Sequence, residues 1–308
     1  MSVQSAASPR GGMKIGVFFV VTAAVAWGMG GLVASVLYTS SGLGPWAVSF
    51  WRAACGVVVL VGVQAARRRP VGIRALFPRG VVVIIGLGLA VYQSAYYLSI
   101  AQAGVAVGTV ATLGACPILV AVGARVFLRE ALGGRGALAI GVAIVGLVLI
   151  VGGPGEVGPD PALGVAWALA SAAGYAMVTL VTRVYADRIG ADDVGTTLAS
   201  FCVATICLLP AAAAEGLLPT TRVPEAVGWL IFLGVVPTAM AYTMFFSGLR
   251  TVPATTAAML VLFEPLSALA LAVALLGERL GVPALAGTVL LLAAVVTMTV
   301  RGRPAEGD

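Results

Sequence analysis

Glu264 is the residue of this chain best placed for chemistry, because its carboxylate falls inside an apolar stretch long enough to cross a membrane. In a helical span over 254–276 it lies near the midplane, too deep for its short side chain to reach water at either end. Two roles fit it. It can face a cavity and bind a substrate ammonium or take up a coupling proton, or it can stay neutral or paired and support a helix break at Pro265, whose ring leaves a backbone carbonyl without its hydrogen bond.

Two arginines also fall within apolar stretches, where each charge needs an explanation. Arg125 lies near one end of its stretch, so its side chain can reach the interface. Arg52 lies about three residues outward of the centre of its stretch, and its long side chain predicts a reach to the outer interface. An ion pair with Glu264, the one acidic residue deep in any stretch, is the alternative.

Polar and aromatic side chains deep in other stretches predict a cavity for a small amphipathic molecule. Trp and Tyr usually gather at the two membrane interfaces, so Trp27 and Tyr175 near the centres of their stretches indicate cavity walls, or else fill space between helices. Thr112 and Tyr242 are weaker predictions, because a hydroxyl in a helix often bonds the preceding turn. The residues predicted to bind substrate are Trp27, Tyr92, Gln93, Thr112, Tyr175, Tyr242 and Glu264.

The residue types present disfavour an enzyme. The chain has no His, and its four cysteines, Cys55, Cys116, Cys202 and Cys207, fall in apolar stretches without CxxC spacing. This pattern predicts no metal, no cofactor and no catalytic residue. An intramembrane lipid-modifying enzyme is the alternative, but it would need paired acids or a nucleophile at one depth.

The composition indicates a membrane protein, since 60% of residues are hydrophobic and 10% are charged, against about a quarter charged in a globular protein. A span needs about 20 apolar residues. Ten stretches satisfy this, at 15–37, 45–65, 80–100, 105–127, 136–152, 163–184, 194–213, 226–248, 254–276 and 282–300. The sequence therefore predicts an all-α membrane protein with ten transmembrane helices.

An internal repeat divides the chain. The strings CPILVAVGARVFLREAL, from Cys116, and EPLSALALAVALLGERL, from Glu264, match at five positions and lie 148 residues apart. Each places a proline in the fourth span of its half, so Pro117 and Pro265 are predicted helix breaks. The same offset pairs Gly86 with Gly234. A Gly/Pro linker follows the fifth span, so the predicted halves are 1–152 and 163–308.

Positive charge predicts the orientation. With the N-terminus inside, only Arg222 and Arg279 of the 18 Lys and Arg residues fall on the outer side. Both termini are then cytoplasmic. Because each half has five spans, the second half enters from the opposite side, and an inverted repeat around a central cavity suits alternating access. The basic residues lie mainly in short loops, so no nucleic-acid partner is predicted.

The ten spans in two halves, the proline in each fourth span and the string FEPLSALALAVALLGERL resemble the drug/metabolite transporter superfamily, EamA type. The resemblance implies helices around a central cavity and the transport of small metabolites. The first half departs from the pattern, with Cys116 where the second has Glu264.

These observations predict a secondary transporter of the cytoplasmic membrane that exports small amphipathic metabolites such as amino acids, with proton coupling through Glu264 as a hypothesis. Multidrug or toxic-compound efflux is the alternative. The predicted partners are a small-molecule substrate and the lipid bilayer, and a homodimer is left open. A phosphorylated substrate is disfavoured because only Arg52 offers a basic group at depth.

Overall fold

Every regular element in the described part of the chain is helical, which confirms the predicted fold class. The structure is a computed structural model that describes residues 9–66, 80–127, 129, 133–152, 158–185, 193–241, 244–245, 248, 252, 260–261 and 263–299. The helices are α1 (Pro9–Ser41), α2 (Pro45–Ala66), α3 (Gly80–Phe127), α4 (Gly133–Gly152), α5 (Pro161–Val184), α6 (Asp193–Glu215), α7 (Val223–Gly234), α8 (Phe263–Leu275) and α9 (Val282–Thr299). A π turn over Val235–Met240 continues α7.

Five apolar segments in the described residues are long enough to cross a membrane as helices: Met13–Ser41, Pro45–Gly62, Gly80–Phe127, Pro161–Thr182 and Leu198–Glu215. Four shorter apolar helices, Gly136–Leu149, Val223–Thr238, Phe263–Leu275 and Val282–Ala294, coincide with other predicted spans. The 48 residues of α3 contain two of the predicted spans, the third and the fourth.

Gly104 separates these two spans. Its φ of 79° and ψ of 170° interrupt the helical backbone of α3, and only glycine adopts this conformation without strain. We call the part of α3 before Gly104 α3a and the part after it α3b. A residue with a Cβ would be strained at this φ, so Gly104 sets the position at which α3b begins.

The two halves meet through equivalent contacts. A Cβ on Gly86 of α3a would lie 2.5 Å from the Val203 Cβ, and a Cβ on Gly234 at the end of α7 would lie 2.6 Å from the Cys55 Cβ. Gly86 and Gly234 are 148 positions apart, and so are Cys55 and Val203. The first contact therefore becomes the second when the halves are exchanged, as a two-fold relation requires.

Helices α4 and α9 pack together through small residues. A Cβ on Gly146 would lie 2.8 Å from the Gly287 carbonyl oxygen, so the backbones approach closely there. The repeat equivalents of these glycines are Ala294 and Ala139, and both are buried in the same apolar cluster. The fifth span of each half thus pairs with the other.

The two prolines predicted as helix breaks occupy different settings. Helix α3 continues through Pro117, with its one non-helical residue at Gly104. Pro265 instead lies in the first turn of α8, where a backbone N–H has no helical partner to lose. A proline is tolerated in the first turn of a helix, so Pro265 fits the start of α8, whereas the predicted break at Pro117 is absent from α3.

Candidate functional site

A small cavity lies between α2, α3a, α6 and the π turn. Its lining residues are Arg52, Ala53, Leu89, Tyr92, Gln93, Phe201, Ala204, Leu208 and Thr238. The cavity volume is about 40 Å³, which is room for a few water molecules and not for a metabolite. In this conformation the surrounding helices must separate before a larger molecule can enter.

Arg52 points into the helix bundle, whereas its sequence position favoured the outer interface. The Arg52 Nη1 donates a hydrogen bond of 3.0 Å to the Tyr97 hydroxyl. The guanidinium carbon also lies 5.8 Å from the centroid of the Tyr97 ring, within cation–π range. Tyr97 is fully buried, so it holds Arg52 against the cavity wall. Sequence reasoning identified the charge but could not identify this partner.

A second polar contact lies beside the first. The hydroxyls of Tyr96 and Thr109 share a hydrogen bond of 3.0 Å, and both residues are buried. Tyr96 is within electrostatic range of both Arg52 and Glu264. Arg52 and Glu264 also interact electrostatically with each other. We call Arg52, Tyr96, Tyr97, Thr109, Glu264 and Cys116 the central polar group.

Cys116 belongs to this group because it lies within electrostatic range of Glu264. The two residues are equivalent positions of the repeat. Their proximity places the carboxylate close to the two-fold axis that relates the halves. Among the described residues no set of three or more Cys, Asp or Glu side chains is arranged to hold a metal ion.

Glu264 lies at the start of a helix and not in the middle of one. It occupies the first turn of α8, where the helix dipole favours a negative charge. Its N–H donates to the Val261 carbonyl at 2.8 Å, and its own carbonyl accepts from the Ser267 hydroxyl at 2.9 Å. A Cβ on Gly28 would lie 2.8 Å from that carbonyl oxygen, so α1 packs directly on the backbone of Glu264.

Tyr92 and Gln93 both line the cavity. The Tyr92 ring lies 5.6 Å from that of Tyr175, which is 42% exposed and so forms an edge of this region. The backbone of Tyr92 is fixed from α5, because the Ser171 hydroxyl donates to its carbonyl at 2.7 Å. The Gln93 Nε2 is buried and has no hydrogen-bond partner in the described structure.

Trp27 and Thr112, which are also predicted to bind substrate, lie outside the cavity lining. Trp27 packs on Phe245 with ring centroids 5.2 Å apart. Thr112 is fully buried on α3b, at helical spacing from Thr109 and Cys116, and its hydroxyl makes no hydrogen bond within the described part of the chain. Tyr242 lies outside the described residues.

Thr238 is a cavity residue that sequence reasoning missed. Its hydroxyl donates to the Leu233 carbonyl, five residues earlier, at 2.9 Å. This bond belongs to the π turn, and π turns occur often at functional sites. The sequence VVPTAM carries a proline but no distinctive signal for the turn.

Carboxylates of the second half cap helices of the first half at one end of the bundle. The Glu278 carboxylate accepts the N–H groups of Val105 and Ala106, at 2.7 and 3.0 Å, where α3b begins. Glu215 accepts the Ala47 N–H of α2 at 2.9 Å. Burial raises the pKa of the Glu278 carboxyl, which lies between α8 and α9, while its two backbone donors oppose that rise. These caps tie the halves together at the end predicted to face outward.

Comparison with known proteins agrees with the geometry. An EamA-like transporter family model matches residues 14–152 and again residues 162–300. The chain is 28% identical over 286 residues to an uncharacterized transporter of Bacillus subtilis strain 168, YwfM, with 92% of this chain and 94% of that protein covered. A crystal structure described only as that of a protein matches with a TM-score of 0.60 at 19% identity, over 95% of this chain and 99% of its own, and shows the fold alone. The chain belongs to the EamA-like transporter family.

Proposed function

We propose that this protein is a secondary transporter that exports small amphipathic metabolites, amino acids first among them, across the cytoplasmic membrane. Family membership supports a transporter of the drug/metabolite superfamily. The observation that carries the finer proposal is the central polar group. Arg52 lines a cavity that also has aromatic side chains, and the Glu264 carboxylate lies within electrostatic range of Arg52. An amino acid carries the two complementary charges.

Alternating access accounts for how such a site would be reached. The halves make equivalent contacts with each other, so each half can adopt the conformation of the other while the site stays central. The caps at Glu278 and Glu215 support a state closed at the predicted outer end. In this proposal substrate enters from the cytoplasm, and Glu264 takes up the coupling proton as the helices rearrange.

The remaining predicted residues complete the proposed substrate site. Tyr92 and Gln93 line the present cavity, and Tyr175 lies against Tyr92. Trp27 and Thr112 would border the wider cavity of the loaded state, as would Tyr242. The predicted halves, 1–152 and 163–308, would be the moving units. A reporter fused to the C-terminus tests the orientation, since signal from the outside would contradict a cytoplasmic terminus.

Counterflow in proteoliposomes tests the function. Purified protein is reconstituted in vesicles loaded with one unlabelled proteinogenic amino acid at a time. Entry of the same amino acid, added outside in labelled form, is then measured. We expect accumulation above protein-free vesicles for at least one amino acid. Entry of no amino acid would contradict the proposed substrate class.

Multidrug or toxic-compound efflux is the second candidate, and the adjoining rings of Tyr92 and Tyr175 favour it, since aromatic faces attract lipophilic cations. The same vesicles distinguish it. Efflux of hydrophobic amines in the absence of any amino acid flux would support this candidate over the first.

A further inference from the structure

We propose that Arg52 binds the carboxylate of the transported molecule, so that the substrate class is confined to compounds carrying that group. The inference rests on the proposed function and deepens it, because it assigns a residue and a required chemical group to the site. Sequence position alone favoured an interface role for this arginine. In the structure Arg52 instead lines the cavity and donates to Tyr97, which suggests a role in binding.

Arg52 has a fixed orientation beside the cavity. Its Nη1 is directed to the Tyr97 hydroxyl at 3.0 Å, and its guanidinium packs near the Tyr97 ring. A guanidinium has five N–H donors in a planar fork that matches the two oxygens of a carboxylate. Fixing one nitrogen on a buried tyrosine orients the fork, which reduces the entropy lost when an anion binds. Among the described lining residues Arg52 is the one cationic side chain.

Gln93 offers a second donor in the same cavity. Its Nε2 is buried without a hydrogen-bond partner in the described structure. A buried donor without a partner destabilises the protein, and an oxygen of a bound carboxylate would remove that penalty. The neighbouring hydroxyl of Thr238 is already directed to the Leu233 carbonyl. Arg52, Tyr92 and Gln93 carry the other side-chain donors of the described lining, and we assign Arg52 and Gln93 to the anion.

The apolar and aromatic lining residues indicate the chemistry of the part of the ligand that carries no charge. The cavity has apolar and aromatic surface that suits the side chain of an amino acid, contributed by Leu89, Tyr92 and Phe201. Glu264 lies within electrostatic range of Arg52, and its carboxylate would attract an ammonium. A single arginine suits one carboxylate better than a doubly charged phosphate. The repeat equivalent of Arg52 is Ser200, so the anion has one place to bind and the substrate one orientation.

The test compares matched ligands in the counterflow assay. The competitors are phenylalanine, phenethylamine, which lacks the carboxylate, and phenylpropionate, which lacks the ammonium. Arg52→Gln, Arg52→Lys and Tyr97→Phe are measured beside Arg279→Gln, which removes the same charge at an exposed position. Size-exclusion chromatography checks that each variant is folded and monodisperse.

We expect the KM of the transported amino acid to rise about tenfold or more in Arg52→Gln, because charge-assisted hydrogen bonds are lost. Competition by phenethylamine should stay unchanged in that variant. Arg52→Lys should restore part of the affinity, Tyr97→Phe should raise the KM less, and Arg279→Gln should leave it unchanged.

The proposed function and the assignment of Arg52 can fail separately. If no amino acid enters vesicles containing the wild type, the proposed function fails. If amino acids enter and Arg52→Gln preserves both their KM and the discrimination against phenethylamine, the assignment of Arg52 is overturned while the transporter stands. Should Arg52→Gln not fold, an unchanged KM in Tyr97→Phe and Arg52→Lys would overturn the assignment equally.

Discussion

The helix that lines the cavity in the first half is regular α-helix over Leu87–Tyr92, whereas the equivalent stretch of the second half, Val235–Met240, is a π turn. The helix contacts around these stretches are alike, since Gly86 and Gly234 pack on equivalent partners. The two halves therefore share a packing scaffold and differ in the backbone that faces the cavity.

The two halves also differ in where they carry charged residues. Arg52 has Ser200 as its equivalent, and Glu264 has Cys116. Ser200 and Cys116 are both buried, and Cys116 lies within electrostatic range of the glutamate in the other half. A duplicated scaffold can hold an asymmetric site, because the small packing residues that keep the helices in place are not the residues at its centre. The following variants test that separation, in order of expected effect.

Glu264→Gln should have the largest effect, because it removes the one carboxylate of the central polar group. We expect flux to fall about tenfold or more and its dependence on pH to flatten, as for loss of a group that exchanges the coupling proton. Counterflow across a pH series measures both quantities.

Cys116→Ser is the matched control in the other half, with a small expected effect on flux. Unchanged flux and pH profile in Glu264→Gln would remove that residue from coupling and leave the transporter assignment intact. Equal losses in both variants would mean that the two equivalent positions serve packing alone.

Gly104→Ala should destabilise the fold, because a Cβ is strained at a φ of 79°. The expected cost is about 1–3 kcal/mol, seen as a lower midpoint of thermal unfolding in detergent. The second half has Val252 at the equivalent position without a positive φ, so this requirement belongs to the first half. Gly228→Ala, in an open position on α7, should instead leave the midpoint unchanged or raise it. Equal midpoints for Gly104→Ala and the wild type would contradict the strained turn.

Glu278→Ala should cost about 0.5–2 kcal/mol, because α3b loses the acceptor of its first two N–H groups. Glu278→Gln keeps an acceptor and should cost less. A midpoint in Glu278→Ala equal to that of the wild type would show that the cap contributes nothing.

The pH dependence of Glu278 follows from its raised pKa. Between the ordinary value of 4.5 and the raised one, the folded protein binds more protons at this carboxyl than the unfolded chain does. The free energy of unfolding contributed by Glu278 therefore grows as pH falls through that window. Relative to Glu278→Gln, the wild type should gain stability as the pH approaches 4.5. A constant difference across the window would contradict the raised pKa.

Thr238→Val should have the smallest effect, about 0.5–1.5 kcal/mol, from loss of the hydrogen bond to the Leu233 carbonyl in the π turn. Thr205→Val is the comparison in regular helix, where the hydroxyl donates to the Phe201 carbonyl four residues earlier. Flux that falls for Thr238→Val but not for Thr205→Val would assign the π turn to function, and equal flux in both would make it a packing feature.

Long-range contacts explain why part of the site was not predictable. Glu264 and Arg52 were identified from the energetic cost of charge in an apolar stretch, which is a local property. The pairing of Arg52 with Tyr97 depends on how α2 and α3a pack, because the two residues are 45 positions apart in sequence. The Glu278 cap joins residues 173 positions apart, and no local pattern specifies such a pair. The matching Glu130 of the repeat lies outside the described residues.

The sequence by itself determined the helical fold, the ten spans and the duplication, because apolar length and a repeated pattern are properties of consecutive residues. It also identified the two charges that a membrane interior has to accommodate. Only the tertiary structure decided that Arg52 turns inward to a tyrosine, that Cys116 lies within electrostatic range of Glu264, and that Pro265 lies in the first turn of a helix. These features depend on which surfaces meet across the two halves, and close packing of distant residues sets that outcome.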